Sequence, residues 1–307
     1  MTANDTSIDA RDWSLLGVLS ILWGGSFFFN GVVLREVPPL TVVLLRVVLA
    51  SVILLPLLWV YRIKFPRGIS GWTPFIAIGL FNNVLPFSLI VAGQTYIPSG
   101  LASILNATTP LFTVIVMAAA GEEKLQARRI AGVITGLIGV VILHGGFGVG
   151  FENGQGTGIL LCLAGAFSYG LSALVARRLL SNSPPLGTAT FQLLASSAMM
   201  IVVAGFVERP WQLPMPGAST WLAVIGLAAL STALAYIVFF QILRRSGATN
   251  VMLVTLLIPV TAILLGYLVL GEQISSREIF GALVIGSALL LIDGRVLGLI
   301  KRNSISA

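Results

Sequence analysis

The chain has 307 residues, of which 57% are hydrophobic and only 9% charged, where a soluble domain carries about 25% charged residues; its mean hydropathy is +1.00. A protein this apolar cannot cover a water-facing surface with polar groups, so its solvent is lipid. The net charge of +7 does not mark a nucleic-acid binder, because the basic residues sit in short loops between apolar runs, while the single Cys162 excludes an internal disulfide and the single His144 leaves no Cys/His metal cluster.

A membrane span needs roughly 20 mainly apolar residues, and that ruler gives ten, at about 13–33, 40–60, 72–92, 98–119, 129–146, 156–176, 186–207, 220–241, 247–269 and 278–297. The first follows an acidic start, Asp5, Asp9 and Asp12 against Arg11, which does not suit a cleavable signal peptide, and it reads as a retained span. Trp23 lies near its middle, either lining a cavity or packed against a neighbouring helix. Arg46, in the second span, is the one full charge well inside a span. It either snorkels outward, binds backbone carbonyls at an outer helix end, or serves an outer gate or the steering of a carboxylate.

Asn82 and Asn83 are central in the third span, followed by Pro86. Adjacent carboxamides cannot both face lipid, so at least one faces a cavity or bonds a neighbouring helix. Asn106, Thr108 and Thr109 precede Pro110 in the fourth span, where proline removes a backbone hydrogen bond and leaves a carbonyl free for substrate, a hinge or a static kink. Gly132 and Gly136, four apart in the fifth, permit close helix contact, and Gly139 continues that series, with helix 10 as a candidate partner. His144, at the outer end of that span, is a proton sensor or simply a polar helix end. Ser168 and Tyr169 in the sixth span, and Ser231, Thr232 and Tyr236 in the eighth, are further candidates for the path; the tyrosines weigh more because a buried phenol needs a partner. Pro259 interrupts the ninth.

In lipid the backbone must satisfy its own hydrogen bonds, so these spans are helices. Placing the N-terminus in the cytoplasm puts fourteen of the eighteen basic residues on the inner side and three outside, which predicts that both termini are cytoplasmic. The halves repeat in order. Pro38-Pro39, Ser99-Gly100, Pro110, Gly121-Glu122 and Gly132 recur as Pro184-Pro185, Ser246-Gly247, Pro259, Gly271-Glu272 and Gly281, at offsets between 146 and 150. Five helices is an odd number, so the second copy enters the membrane from the opposite face. The predicted fold is an all-α membrane protein of ten transmembrane helices in two inverted five-helix repeats, 13–146 and 156–297, with a substrate site between them.

These motifs, with Trp23-Gly24-Gly25-Ser26 and Arg46, resemble the drug/metabolite transporter superfamily in its ten-helix EamA branch, over residues 13–297, and within it the YddG-type amino-acid exporters. The resemblance implies a bacterial inner-membrane location, export from the cytoplasm and a central cavity lined by helices 1, 3, 4, 6, 8 and 9. The second half departs from the first: Gln192 stands where Arg46 would repeat, and Phe167-Ser168 stands near the Trp23-Gly24 position.

Absences narrow the cargo. No acidic residue lies near the middle of any span, which weakens a pump for lipophilic cations, and one Arg46 is thin for phosphorylated substrates. A neutral or zwitterionic metabolite remains, amino acids including aromatic ones foremost, carried by alternating access with helices 3, 4, 8 and 9 moving. Other metabolites or drugs are the alternative. A channel suits inverted, proline-broken halves less well, and no His-Glu-x-x-His or Gly-x-Ser-x-Gly supports an intramembrane enzyme. The expected partners are a small-molecule substrate and the bilayer, the expected state a monomer with a dimer possible through the glycines, and no cofactor or metal is expected.

Overall fold

The computed structural model describes residues 10–124, 126–144, 154–251 and 253–293; the side chains of His144, Arg244, residues 246–250 and Asp293 are outside the described set. The reading of His144 as a proton sensor therefore falls outside it, as do the far ends of the fifth and tenth spans. Every regular element among the described residues is helical.

Ten helices result: α1 (Ala10–Val33), α2 (Pro39–Val60), α3 (Gly68–Gly93), α4 (Ser99–Ala119), α5 (Ala127–His144), α6 (Gln155–Leu179), α7 (Pro185–Val207), α8 (Ala218–Ala228, continuing as Ala235–Val251), α9 (Val254–Leu270) and α10 (Ser276–Asp293). Seven are long and apolar enough to cross a membrane by length and composition, and α9 is a shorter apolar helix. The exposed faces carry large apolar side chains such as Ile21, Val52, Phe206 and Leu283, as lipid-facing surfaces must.

The packing has the symmetry of the repeat. α2 packs on α7 and α5 on α10, each pair mapping onto itself when the halves are exchanged. The contact of α1 with α9 maps onto that of α6 with α4, and that of α3 with α6 maps onto that of α8 with α1. With five helices in each half, such an exchange relates two copies of opposite direction. Gly24 and Gly170, 146 residues apart, make the corresponding crossings possible. A Cβ on Gly24 would lie 2.6 Å from Thr261 Cβ, and one on Gly170 would lie 3.1 Å from the Phe112 backbone. This pairing sets Tyr169-Gly170, not Phe167-Ser168, in register with Trp23-Gly24. Gly132 and Gly139 face Ile292 and Ile285 of α10, as expected, whereas Gly136 faces Leu111 of α4.

Three local features differ from the sequence reading. α4 is broken at Ala107–Thr108, and Pro110 sits in the first turn of its second piece instead of kinking an interior. Proline offers no N–H to Asn106 O, and Thr109 Oγ1 donates to that carbonyl instead, at 2.7 Å. α8 runs to Val251 and α9 begins at Val254, later than the expected boundary at 241–247. The breaker is missing there: Pro98 precedes Ser99 in the first half, but Arg245 precedes Ser246 in the second. Finally, α3 and α8 each contain a π turn, Leu80–Val84 and Ala229–Leu234, at an offset of 149. The first holds Asn82 and Asn83, the second Ser231 and Thr232.

Candidate functional site

A cavity of about 370 Å³ lies between the halves. Its wall is drawn from the six helices the resemblance implied and from α2 and α7 as well, through Arg46 and through Thr188 and Gln192. The two π turns face it from opposite halves. π turns skip ladder bonds and leave carbonyls to other donors, and side chains take up that role here. Ser168 Oγ donates to Phe81 O at 2.8 Å, Ser196 Oγ to Gly79 O at 3.1 Å, and Thr232 Oγ1 to Leu227 O at 2.9 Å.

Of the eight residues expected to bind substrate, Trp23, Asn82, Asn106, Thr109, Tyr169, Ser231 and Tyr236 line this cavity. Asn83 does not. It is fully buried behind the wall, donating to Ser196 Oγ at 3.0 Å and accepting from Tyr236 Oη at 3.1 Å. Adjacent positions on a helix point about 100° apart, so only one of the two carboxamides can face the space. Asn82 donates to Gln192 Oε1 and to Tyr236 Oη, each at 3.2 Å, and accepts from Ser172 Oγ at 3.1 Å. These side chains tie α3, α6, α7 and α8 into one network on the cavity wall.

Arg46 also reaches the cavity and is only 6% exposed, so it does not snorkel. Nε donates to Thr232 Oγ1 at 2.9 Å, and Cζ lies 3.7 Å from the centre of the Phe87 ring. It is the one formally charged residue on the wall, and no carboxylate pairs with it among the described residues. Pro86 lies in the first turn after the π turn of α3, and Pro259 lies inside α9 one residue beyond the lining Ile258.

Aromatic rings form the apolar part of the wall: Trp23 and Phe239 with centroids 5.5 Å apart, and Tyr236 stacked on Phe240 at 6.1 Å. Asn30, Ser172, Phe239 and Phe240 carry no motif in the sequence, and Ser26 enters it only through the Trp23-Gly24-Gly25-Ser26 resemblance. They follow from Trp23, Tyr169 and Tyr236 at spacings of three, four or seven residues, the repeat of one helix face. Asn30 Oδ1, Asn106 Oδ1 and Ser231 Oγ are buried with no hydrogen-bond partner among the described residues. Buried polar atoms are nearly always satisfied, and three unsatisfied ones around one cavity mark a site that receives water or cargo.

The two ends of the bundle are held differently. At one, carboxylates cap helix N-termini: Glu208 accepts from Leu40 and Thr41 N–H at 2.9 and 2.7 Å, Glu36 from Gly217 N–H at 2.7 Å, and Glu272 from Ser99 and Gly100 N–H at 2.9 and 3.3 Å. At the other, ion pairs dominate: Arg178 with Glu122 at 2.7 Å, Arg177 with Glu123 at 3.2 Å, Arg129 with Glu123, and Arg245 with Asp12 at 3.1 Å. The hydrogen bond from Arg178 holds the Glu122 carboxyl below its ordinary range.

A ten-helix membrane bundle with a polar and aromatic cavity between two like halves defines a small-molecule transporter. The model of the EamA-like transporter family matches residues 13–144 and again 156–293, and the chain belongs to that family. The chain is 28% identical to a probable amino-acid metabolite efflux pump of Salmonella typhimurium, covering 92% of this chain and 94% of that one. It is 25% identical to the uncharacterized transporter YoaV of Bacillus subtilis, with 88% and 93% covered, and 27% identical to the uncharacterized inner membrane transporter YedA of Escherichia coli K12, with 90% and 89% covered. A solved crystal structure superposes with a TM-score of 0.64 at 21% identity over 92% of this chain and 98% of that one, a likeness of fold. The family and these names point to a transporter and not to an enzyme.

Proposed function

We propose that the protein is a secondary transporter of the bacterial inner membrane that exports small neutral or zwitterionic metabolites, amino acids including aromatic ones, by alternating access between its halves. The observation that carries this reading is the cavity itself: uncharged polar groups and aromatic rings from both halves, with a single guanidinium among the described residues. The efflux pumps among its relatives support the direction and the class of cargo. Trp23, Asn82, Asn106, Thr109, Tyr169, Ser231 and Tyr236 would contact substrate, with Asn83 holding Asn82 and Tyr236 in place.

Positive-inside charge supports both termini being cytoplasmic, which sets the carboxylate-capped end outside. In this conformer Glu272 joins α4 to the α9–α10 turn at that end, while the cavity lining extends to Ala176, Thr188 and Val251 toward the other. That asymmetry suits a state closed outside. Glu122 occupies the position of Glu272 in the first half, and the corresponding cap on Ser246 and Gly247 is not formed, since α8 runs through them as helix. Breaking one cap and making the other is a route between two states of similar energy. The protein is expected to act as a monomer.

The test is counterflow of labelled amino acids into liposomes carrying the purified protein, with no ion gradient. Saturable exchange competed by some unlabelled amino acids and not others supports a carrier of this class. No exchange above protein-free liposomes, across polar and aromatic amino acids, removes the amino-acid reading.

A further inference from the structure

Arg46 is used incompletely by the scaffold. Its Nε is bonded to Thr232 Oγ1 and one face lies on Phe87, yet no hydrogen bond from either Nη occurs among the described residues. A guanidinium has five donors in a fixed fork and stays charged in any protein environment. Neither Nη is among the buried atoms left without a partner, so both open onto the cavity that Arg46 lines, and a charge placed there needs a reason.

The repeat provides an internal comparison. Gln192 occupies the same place in the second half, and its Oε1 accepts from Asn82 on the π turn of α3. A neutral amide therefore suffices to join this helix position to the facing π turn. The charge at Arg46 is surplus to that task. The remaining donors lie on a wall whose other lining groups are neutral amides, hydroxyls, aromatic rings and aliphatic side chains.

We infer that Arg46 is the specificity-determining residue of the cavity, binding a carboxylate on a substrate whose remaining body is apolar or aromatic, and that a substrate amine is dispensable. The inference rests on the transport reading above. A planar carboxylate matches the guanidinium fork bidentately. Trp23, Phe27, Phe87, Phe239 and Phe240 offer the apolar counterpart. Among the described residues the wall carries no acidic side chain for an ammonium, so an α-amine gains only neutral acceptors there. A monocarboxylate makes the occupied cavity neutral, whereas a zwitterion leaves it positive.

The experiment is calorimetric titration of the full chain in lipid nanodiscs with three probes of one size: 3-phenylpropanoate, L-phenylalanine and 3-phenylpropanamide. The first two should bind within a few-fold of each other. The amide should bind about 10- to 100-fold more weakly, the range of a hydrogen bond to a charged group. Arg46→Gln, which copies the residue the repeat already tolerates, should bring all three to the level of the amide, and Arg46→Lys should keep part of the preference. Equal binding of propanoate and propanamide, a preference that survives Arg46→Gln, or tight binding of phenylalanine alone would each overturn the inference. So would no binding of any probe. Counterflow of uncharged metabolites then decides the transport reading separately. Should Arg46→Gln not reach the membrane, the comparison of the two acids with the amide on the unmodified chain still decides.

Discussion

Arg46 on α2 donates from Nε to Thr232 Oγ1 on α8 at 2.9 Å, and that hydroxyl, in the π turn, itself donates to Leu227 O, a carbonyl five residues back and just before the turn. The guanidinium is thus aimed by a backbone irregularity in the opposite half of the protein. Thr232→Val keeps the side-chain volume and removes the oxygen. The expected outcome is normal insertion with transport weakened by roughly 10-fold or more, since a hydrogen bond to a charged group is worth about 1.5–3 kcal/mol. Counterflow initial rates against substrate concentration check it; unchanged rates would mean that Phe87 alone positions Arg46.

Asn82 and Asn83 should separate function from stability. Asn83 is buried with both ends of its amide bonded, so Asn83→Ala leaves Ser196 and Tyr236 short of a partner and should cost about 1–3 kcal/mol of stability. Asn82 faces the cavity, and Asn82→Ala should affect transport more than melting. Thermal unfolding in detergent, set beside counterflow, distinguishes the two; equal effects on both readouts would dissolve the distinction.

The architecture was largely legible because it rests on long signals. Ten apolar runs, alternating loop charge and an ordered series of prolines and glycines each constrain the whole chain, and the helices fall on those runs. Boundaries depending on one residue were less legible. The α8–α9 junction moved because Arg245 stands where Pro98 stands in the first half, and a missing breaker is a weak signal. The π turns of α3 and α8 carry no composition signal: the first precedes Pro86, the second has no proline after it. The cavity residues were found where a polar group interrupts an apolar run, as at Asn82, Asn106 and Ser231. Phe239 and Phe240 are hard to read from sequence because aromatic residues are common on packed faces; only their spacing from Tyr236 tells them apart.

The close crossing of α1 and α9 can be tested at one atom. Gly24→Ala places a Cβ 2.6 Å from Thr261 Cβ and 2.9 Å from Ile258 O, and the second of these is backbone that cannot rotate away. Overpacking of this kind costs typically about 1–3 kcal/mol. Gly17→Ala on the same helix meets nothing within 4 Å and serves as the control. A lowered melting temperature for the first and none for the second is expected; equal melting would show that α1 shifts freely against α9.

Glu122 gives a pH dependence of known sign. Its carboxyl is held below the ordinary Glu value of 4.5, first by the hydrogen bond from Arg178 and then by the charges of Arg178 and Arg177. A depressed carboxyl contributes its stabilisation fully above the ordinary value and loses it as pH falls through the depressed one. The melting difference between the unmodified chain and Glu122→Gln should therefore be level through neutral pH and shrink in acid. Because the group is partly exposed, added salt should shrink it as well. A difference that grows in acid would assign the pair a different role.

The cap formed by Glu272 on the N-terminus of α4 makes the strongest conformational prediction. Its two oxygens take the Ser99 and Gly100 N–H groups across the halves, and a carboxylate at a helix N-terminus also meets the positive end of the helix dipole. Glu272→Gln keeps the size, removes the charge and should loosen that end of the bundle while leaving the caps by Glu208 and Glu36 intact. Cys162 is buried, so a cysteine introduced at Gln94, which donates to Ser99 Oγ beside the cap, can be labelled selectively in a Cys162→Ala background. Labelling of that cysteine by a membrane-impermeant maleimide should rise several-fold in Glu272→Gln, and exchange should slow because one of two balanced states is now favoured. Unchanged labelling with normal exchange would make the cap a passive helix end, and the alternation between Glu272 and Glu122 would have to be abandoned.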